Sequence, residues 1–341
     1  MSYCFVGFDG FIDEIIHPVE KRTPQGYSAF NTMLAFSEKI SKASEKSCNI
    51  ELVVNQIKMG GNGPILANAL AQLGHKITLA GNLGIPHVNP IFHSLTDRCV
   101  EVFTYEEPGH TDAVEFPDGK IILGKLDPLH RISAEKVIQT IGVERCVQIL
   151  ENSSLFVSAN WTMLPMTNEL WRLLLKLVVP KLSNKKRYFF IDLADPAKRT
   201  DSELKEALDL LIHFNETFHV VLGLNHAEAL RVATLLGTHS SPEALQQATQ
   251  LSQIVLHSSK SSSTSTKNEN ATQSTFFTPH PKISTGAGDN FNAGFCHGLL
   301  QNISLEKSLQ SGNACAGFYV REGRSPSVEE LAIFLQAWDN I

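Results

Sequence analysis

The chain has 341 residues, room for two domains or for one large α/β domain with an appendage. Apolar residues make up 43% of it and charged ones 19%, below the usual value of about 25%, so a disordered chain is excluded. Lys and Arg number 29 against 35 Asp and Glu, and the net charge of −6 gives no general electrostatic reason to bind nucleic acid or an anionic membrane.

The first residues, MSYCFVGFDGFIDEII, carry Asp9, Asp13 and Glu14 and show neither the basic start nor the cleavage site of a secretory leader. No apolar run approaches the roughly 18 residues of a membrane span. A cytoplasmic protein is the expectation. Cys4, Cys48, Cys99, Cys146, Cys296 and Cys315 lie far apart without a CxxC pair, which reads as mostly small core residues rather than a zinc site or a disulfide framework. The histidines show no metal-binding spacing, and none is assigned a role.

In chain order, a strand is expected over Tyr3 to Val6, followed by the acids Asp9 and Asp13 at its end. Ionised carboxylates there suit the hydroxyls of a polyol, since they accept hydrogen bonds and donate none; a turn cap is the plainer alternative for either. Residues 11–57 read as part of a small β appendage with a helix inserted around Tyr27 to Ile40. Gly60-Gly61-Asn62-Gly63-Pro64 then forms a glycine turn with Pro opening a helix, whose apolar stripe is Leu66, Ala69, Leu70 and Leu73 before Gly74. A strand over Ile77 to Ala80 precedes residues 100–124, which read as strands joined by the turns at 107–109 and 117–119, an antiparallel flap. Thr111, Asp112 and Glu115 alternate along it, one face toward substrate or toward solvent.

Further strands are expected over Ser154 to Ser158, Tyr188 to Leu193, His219 to Leu224 and Gln253 to His257, with helices over Thr167 to Leu177, Ser202 to Ile212 and Ala227 to Leu236 between them. Strands apolar on both faces and separated by helices predict an α/β fold around a mainly parallel sheet. Ligands gather at the carboxyl edge of such sheets. One of two polar islands there, Ser158 to Thr162 or Asp192 to Asp195, is expected to contribute to a site. Residues 258–274, rich in Ser, Thr, Asn and Lys, read as a mobile loop.

After a strand-like TFFTPHPKI comes STGAGDNFNAGFCHGLL, where Phe291, Phe295 and Leu299 recur at helical spacing. Gly286, Ala287 and Gly288 sit where that helix begins, so nothing shields its orphan N–H groups and an anion such as a phosphate oxygen can reach them. Asp289, in the first turn, can take a proton from an alcohol beside that pocket. A glycine-rich turn with an N-terminal Asp favoured by the helix dipole is the competing reading.

This segment resembles the C-terminal signature of the PfkB/ribokinase family of carbohydrate and nucleoside kinases, written D-T-x-G-A-G-D-x-F, with Gly286, Ala287, Gly288, Asp289 and Phe291 carrying the likeness. The glycine turn is similar to the family's N-terminal G-G-x-x-x-N-x-A, with Ile65 where the Asn belongs, so that Asn62 or Asn68 would do its work. Asn225-His226-Ala227-Glu228 looks like the family's N-x-x-E, although a helix cap explains the same residues. The resemblance implies a ribokinase-like three-layer α/β/α body over residues 1–10, 58–99 and 125–341, covered by a lid of residues 11–57 and 100–124. It implies ATP-dependent phosphorylation of a hydroxyl of a sugar or sugar-like alcohol, with Asp289 as general base and the 286–288 amides as anion hole. Asp13, with Asp9 as alternate, and Gly60, Gly61 and Asn62 would bind the sugar. Asn225, Glu228, Thr285 and Gly288 would serve the nucleotide, with Mg²⁺ held near Asn225 and Glu228 through water.

The resemblance leaves a nucleoside kinase, or a catalytically idle sugar- or nucleotide-binding regulator, as alternatives, and it suggests a homodimer paired through the lid. Ile283 replaces an Asp that helps ligate a monovalent cation in ribokinase, so potassium activation is not implied. The Ser-rich tract after Leu256 replaces the family's nucleotide loop, and Gly81 to Pro86 departs from its G-x-D-x-x-G, which marks a divergent branch. No G-x-G-x-x-G follows the first strand, which argues against a dinucleotide-dependent oxidoreductase.

Overall fold

Pleated strands point successive side chains to opposite faces. Phe5, Phe156, Phe189, Val220 and Leu222 fall in one apolar cluster and Val6, Val157, Phe190 and Val221 in another, so each strand supplies both sides of one sheet. In the computed structural model, which describes residues 1–338, fourteen strands occur among the described residues. They are β1 (Tyr3–Gly7), β2 (Phe11–Thr23), β3 (Gly26–Ala29), β4 (Leu52–Gly60), β5 (Lys76–Gly81), β6 (Glu101–Thr104), β7 (Gly109–Phe116), β8 (Gly119–Lys125), β9 (Leu155–Ser158), β10 (Tyr188–Asp192), β11 (His219–Asn225), β12 (Gln253–His257), β13 (Ser261–Thr266) and β14 (Asn270–Ser274).

Nine of them form the large sheet, ordered β14-β13-β12-β11-β10-β9-β1-β5-β6. From β12 to β6 all neighbours are parallel, and β13 and β14 add an antiparallel edge. Helices Ala134–Ile141, Val143–Asn152, Thr167–Leu177, Asp201–Phe214 and His226–Leu236 bury apolar residues against one face. Helices Asn62–Gln72, Ala287–Leu300 and Leu305–Glu322 cover the other. The result is the expected three-layer α/β/α body. No described helix is long and apolar enough to cross a membrane.

Residues 258–274 are not the loop their composition predicts. They are the β13–β14 hairpin, in register from Gln253↔Thr266 to His257↔Ser262 on one side and Ser261↔Ser274 to Ser265↔Asn270 on the other. Hydrogen bonds stand in for apolar packing: Thr264 Oγ1 donates to the Ile254 carbonyl at 2.7 Å and accepts from Gln253 Nε2 at 2.9 Å, and Ser265 Oγ donates to Asn270 Oδ1 at 2.7 Å. The strand-like run from Thr275 to Ile283 is irregular instead.

A second sheet is ordered β3-β2-β7-β8, with β4 also paired to β2. The β7–β8 hairpin is the antiparallel flap read from the sequence, but Glu101–Thr104 is not part of it and forms the edge of the large sheet beside β5. The inserted helix is Met33–Ser41, shorter than expected because residues 26–29 pair with β2 and Thr32 caps the helix by accepting from Ala35 N at 3.0 Å. Phe30, Phe36, Val114, Phe116 and Ile121 pack between this helix and one sheet face. Register places Lys58, Asp13, Thr111, Ala113, Ile122, Glu115 and Lys120 on the opposite face.

Candidate functional site

Because β1, β9, β10, β11 and β12 run parallel, Gly7, Ser158, Asp192, Asn225 and His257 all end on one edge of the large sheet. The start of helix Asn62–Gln72, the start of helix Ala287–Leu300 and the charged face of the small sheet meet there.

Asp9, just past β1, is fully buried. Its Oδ1 accepts from Gly63 N at 2.8 Å, and its Oδ2 accepts from Asn62 N at 3.0 Å and Asn160 Nδ2 at 2.8 Å. It therefore caps the first turn of helix Asn62–Gln72 from a distant segment, satisfying orphan N–H groups. Burial pushes its carboxyl up to about 6 against the pull of those three donors. Asp13, in contrast, opens on a cavity of about 350 Å³ lined also by Gly61, Asn62, Thr111, Ile122, Asn160, Asp195, Glu228, Thr285, Gly286 and Asp289. Burial raises the Asp13 carboxyl, opposed by the nearby Lys58, a bond from Thr111 and the more distant Lys120. Gly60 does not line this cavity; a Cβ there would stand 2.4 Å from Asp13 Oδ1, so its bareness is what gives the Asp13 carboxylate its place. Asn68 lies away from the cavity, within 3.5 Å of Ser325 Oγ, so of the two asparagines left open by the sequence only Asn62 belongs to it.

Gly286 precedes helix Ala287–Leu300 at φ 96°, where a side chain would be strained and would meet the Tyr319 hydroxyl at 2.7 Å. That hydroxyl donates to the Thr285 carbonyl at 2.9 Å and braces the turn. Of the three amides expected to receive an anion, that of Ala287 already donates to the Ser284 carbonyl at 3.2 Å, which leaves those of Gly286 and Gly288. Asp289 is 7% exposed, and Asn62 Nδ2 donates to its Oδ1 at 2.9 Å. Burial first, then the carboxylates of Asp192 and Asp9, hold Asp289 well above the ordinary carboxylate range; the Asn62 bond works the other way. Asp192 is raised by burial and by Glu228, while Ala194 N at 2.9 Å and Asn292 Nδ2 at 2.7 Å favour its charged form.

The N-x-x-E residues form a reciprocal cap on helix His226–Leu236: Glu228 N donates to Asn225 Oδ1 at 3.0 Å and Asn225 N to Glu228 Oε2 at 2.9 Å. The helix-cap reading is thus realised. Glu228 still lines the Asp13 cavity beside Asp195, whose N–H it accepts at 3.3 Å. An ionised carboxylate so engaged keeps lone pairs for the waters around a hydrated Mg²⁺, which suits oxygen donors that need not touch the ion. Among the described residues no three His, Cys, Asp or Glu side chains are grouped to hold a metal directly.

Asn225 faces a second cavity, of about 340 Å³, with Ser284, Ala287, Gly288, His257 and the apolar Phe276, Phe277, Phe291 and Val320. Burial pushes the His257 imidazole down to about 4, so it is neutral at pH 7, its ring 4.9 Å from that of Phe291. The loop from Ser284 to Asp289 is the wall between the two cavities. Both polar islands at the sheet edge contribute, Asn160 through Asp9 and Asp192 with Asp195 around Glu228 and Asn292, where one was expected. Lys58 and Lys120 went unrecognised, because only strand register brings them to the site. Lys120 Nζ donates to Ser284 Oγ at 3.2 Å and to Thr285 Oγ1.

The family model of prokaryotic ketohexokinases matches residues 2–338. A ketohexokinase from Haloferax volcanii is 27% identical over 340 residues, covering 97% of this chain and 90% of that protein. Among solved structures, a putative ribokinase II from E. coli in complex with ATP and Mg²⁺ superposes with a TM-score of 0.67 at 17% identity, over 99% of this chain and 100% of that one. A Burkholderia thailandensis nucleoside kinase in complex with inosine gives a TM-score of 0.68 at 13% identity, over 99% of each.

Proposed function

Given that the chain belongs to the prokaryotic ketohexokinase family and is a PfkB-type carbohydrate kinase, we propose that it transfers the terminal phosphoryl group of ATP to a hydroxyl of a ketohexose. The observation that carries this is the shared wall. Ala287 and Gly288 face the apolar-walled cavity, where the nucleotide would sit, and Thr285, Gly286 and Asp289 face the polar one, where the sugar would sit. A donor and an acceptor on the two sides of one glycine turn meet at its amides.

In this reading Asp13 and Asn62 orient the sugar by accepting from and donating to its hydroxyls. Asp289 takes the proton of the reacting hydroxyl as the oxygen attacks; its raised affinity for protons suits a base that must hold one. The Gly286 and Gly288 amides receive the developing phosphoryl charge. Asn225 and Glu228, with Asp195 beside them, would hold Mg²⁺ through water, and the ion supplies neutralising charge to the phosphates when bound. The small sheet acts as the lid that keeps water from the transferring group. Leu52, Ile57 and Leu123, 48 to 52% exposed on that sheet, support pairing of two chains through it, which sedimentation would test.

The experiment is ADP release from purified protein with ATP, Mg²⁺ and a panel of ketohexoses, aldoses, ribose and nucleosides. Turnover with a ketohexose and its loss in Asp289→Asn is the expected result. Turnover only with a nucleoside would move the acceptor assignment, and nucleotide binding without turnover on any acceptor would make the protein a regulator.

A further inference from the structure

Two ammonium groups on the inner face of the small sheet have carboxylates in their neighbourhood but make no ion pair with any of them. Lys58 Nζ is buried and has no hydrogen-bond partner. Lys120, at the tip of the β7–β8 hairpin, is half-buried, and both of its acceptors, Ser284 Oγ and Thr285 Oγ1, are neutral hydroxyls. Asp13 and Glu115 attract the two lysines, which repel one another. Thr285 immediately precedes the Gly286 amide, so the Lys120 ammonium already rests beside the place where a phosphate oxygen would lie. A cation held by hydroxyls gains by exchanging them for an anionic oxygen, because charge-assisted bonds are about twice as strong as neutral ones.

We propose that Lys120 is a catalytic residue supplied by the small sheet, its ammonium leaving Ser284 and Thr285 to hold the terminal phosphate of the nucleotide through transfer. This rests on the kinase reading above. In the step itself the acceptor oxygen bonds to the terminal phosphorus as the bond from phosphorus to the ADP oxygen breaks. The hydroxyl proton passes to Asp289, and Lys120 keeps its protons throughout. Lys58, held close by without a hydrogen-bond partner, repels Lys120 and so favours the exchange.

The test uses the full-length protein, titrated calorimetrically with MgADP and with the magnesium complex of the imido analogue of ATP. Wild type should prefer the triphosphate analogue, and Lys120→Met should reduce that preference at least tenfold while MgADP affinity stays within threefold. Lys120→Arg should restore most of it. On a phosphorylated acceptor, kcat of Lys120→Met should fall by about 10²- to 10³-fold, the cost of losing one preorganised donor. A preference unchanged within threefold in Lys120→Met, or absent from wild type, overturns the proposal, and so does an equal loss for both nucleotides. Should Lys120→Met fold poorly, Lys120→Gln gives the same comparison. Wild type that binds nucleotide but phosphorylates no acceptor defeats the sugar-kinase reading alone, because the affinity ratio still judges Lys120.

Discussion

Asn62→Leu removes the bond from Asn62 Nδ2 to Asp289 Oδ1, 2.9 Å long and partly buried, while keeping the size of the side chain. That bond favours ionised Asp289 against burial and against the charges of Asp192, Asp9 and Asp13. A hydrogen bond to a charged group contributes about 1.5 to 3 kcal/mol, and 1.36 kcal/mol corresponds to one pKa unit. Loss of that contribution should therefore move the Asp289 carboxyl further up. The sign follows from the base role: only the ionised carboxylate accepts the proton, so activity falls as pH drops through the Asp289 pKa. The acid limb of the kcat/KM profile should lie above the ordinary carboxylate range in wild type and shift further toward alkaline pH in Asn62→Leu. Lost sugar contacts would lower the plateau as well, but a lower plateau does not displace the limb. The assay is coupled ADP release between pH 5 and 9 at subsaturating sugar. An acid limb at the same pH in both proteins would show that Asp289 is not the titrating base.

Asp289→Asn should lower kcat by about 10²- to 10⁴-fold with nucleotide and sugar binding retained. Because the folded state raises this carboxyl, its ionisation opposes folding more and more as pH rises above its unfolded value, so the same variant should melt on the order of 2 °C higher at pH 8, measured by calorimetry. Gly60→Ala places a Cβ 2.4 Å from Asp13 Oδ1 and should raise the sugar KM at least about tenfold by displacing that carboxylate, with the ATP KM unchanged. Asp9→Ala leaves two helix-start amides and Asn160 without their acceptor and should cost on the order of 3 kcal/mol, read as a drop in the urea midpoint at pH 7.5.

What could be read from the chain in advance was whatever is local. The loop from Ser284 to Asp289 presents its bare amides and its carboxylate within one helical turn, so adjacency in sequence is adjacency in space. The glycine turn at 60–64 was legible for the same reason, yet the role of Asp9 was not, because that carboxylate caps a helix more than fifty residues away. The Ser-rich tract misled through composition: low hydropathy argues against burial only when hydroxyls have no partners, and Thr264 and Ser265 find theirs across the β12–β13–β14 ladder. Lys58 and Lys120 were invisible for a deeper reason. On β8 the side-chain period is two, so a slip of one residue against β7 would turn Lys120 toward the packed helix Met33–Ser41 and bring Ile121 to the cavity. The site's cations are therefore set by the register of a sheet whose strands are separated by up to about a hundred residues, and that register is held by the apolar face on the far side, where Val114, Phe116 and Ile121 meet Phe36. Packing on the face that never touches a ligand thus decides which charges the ligand meets.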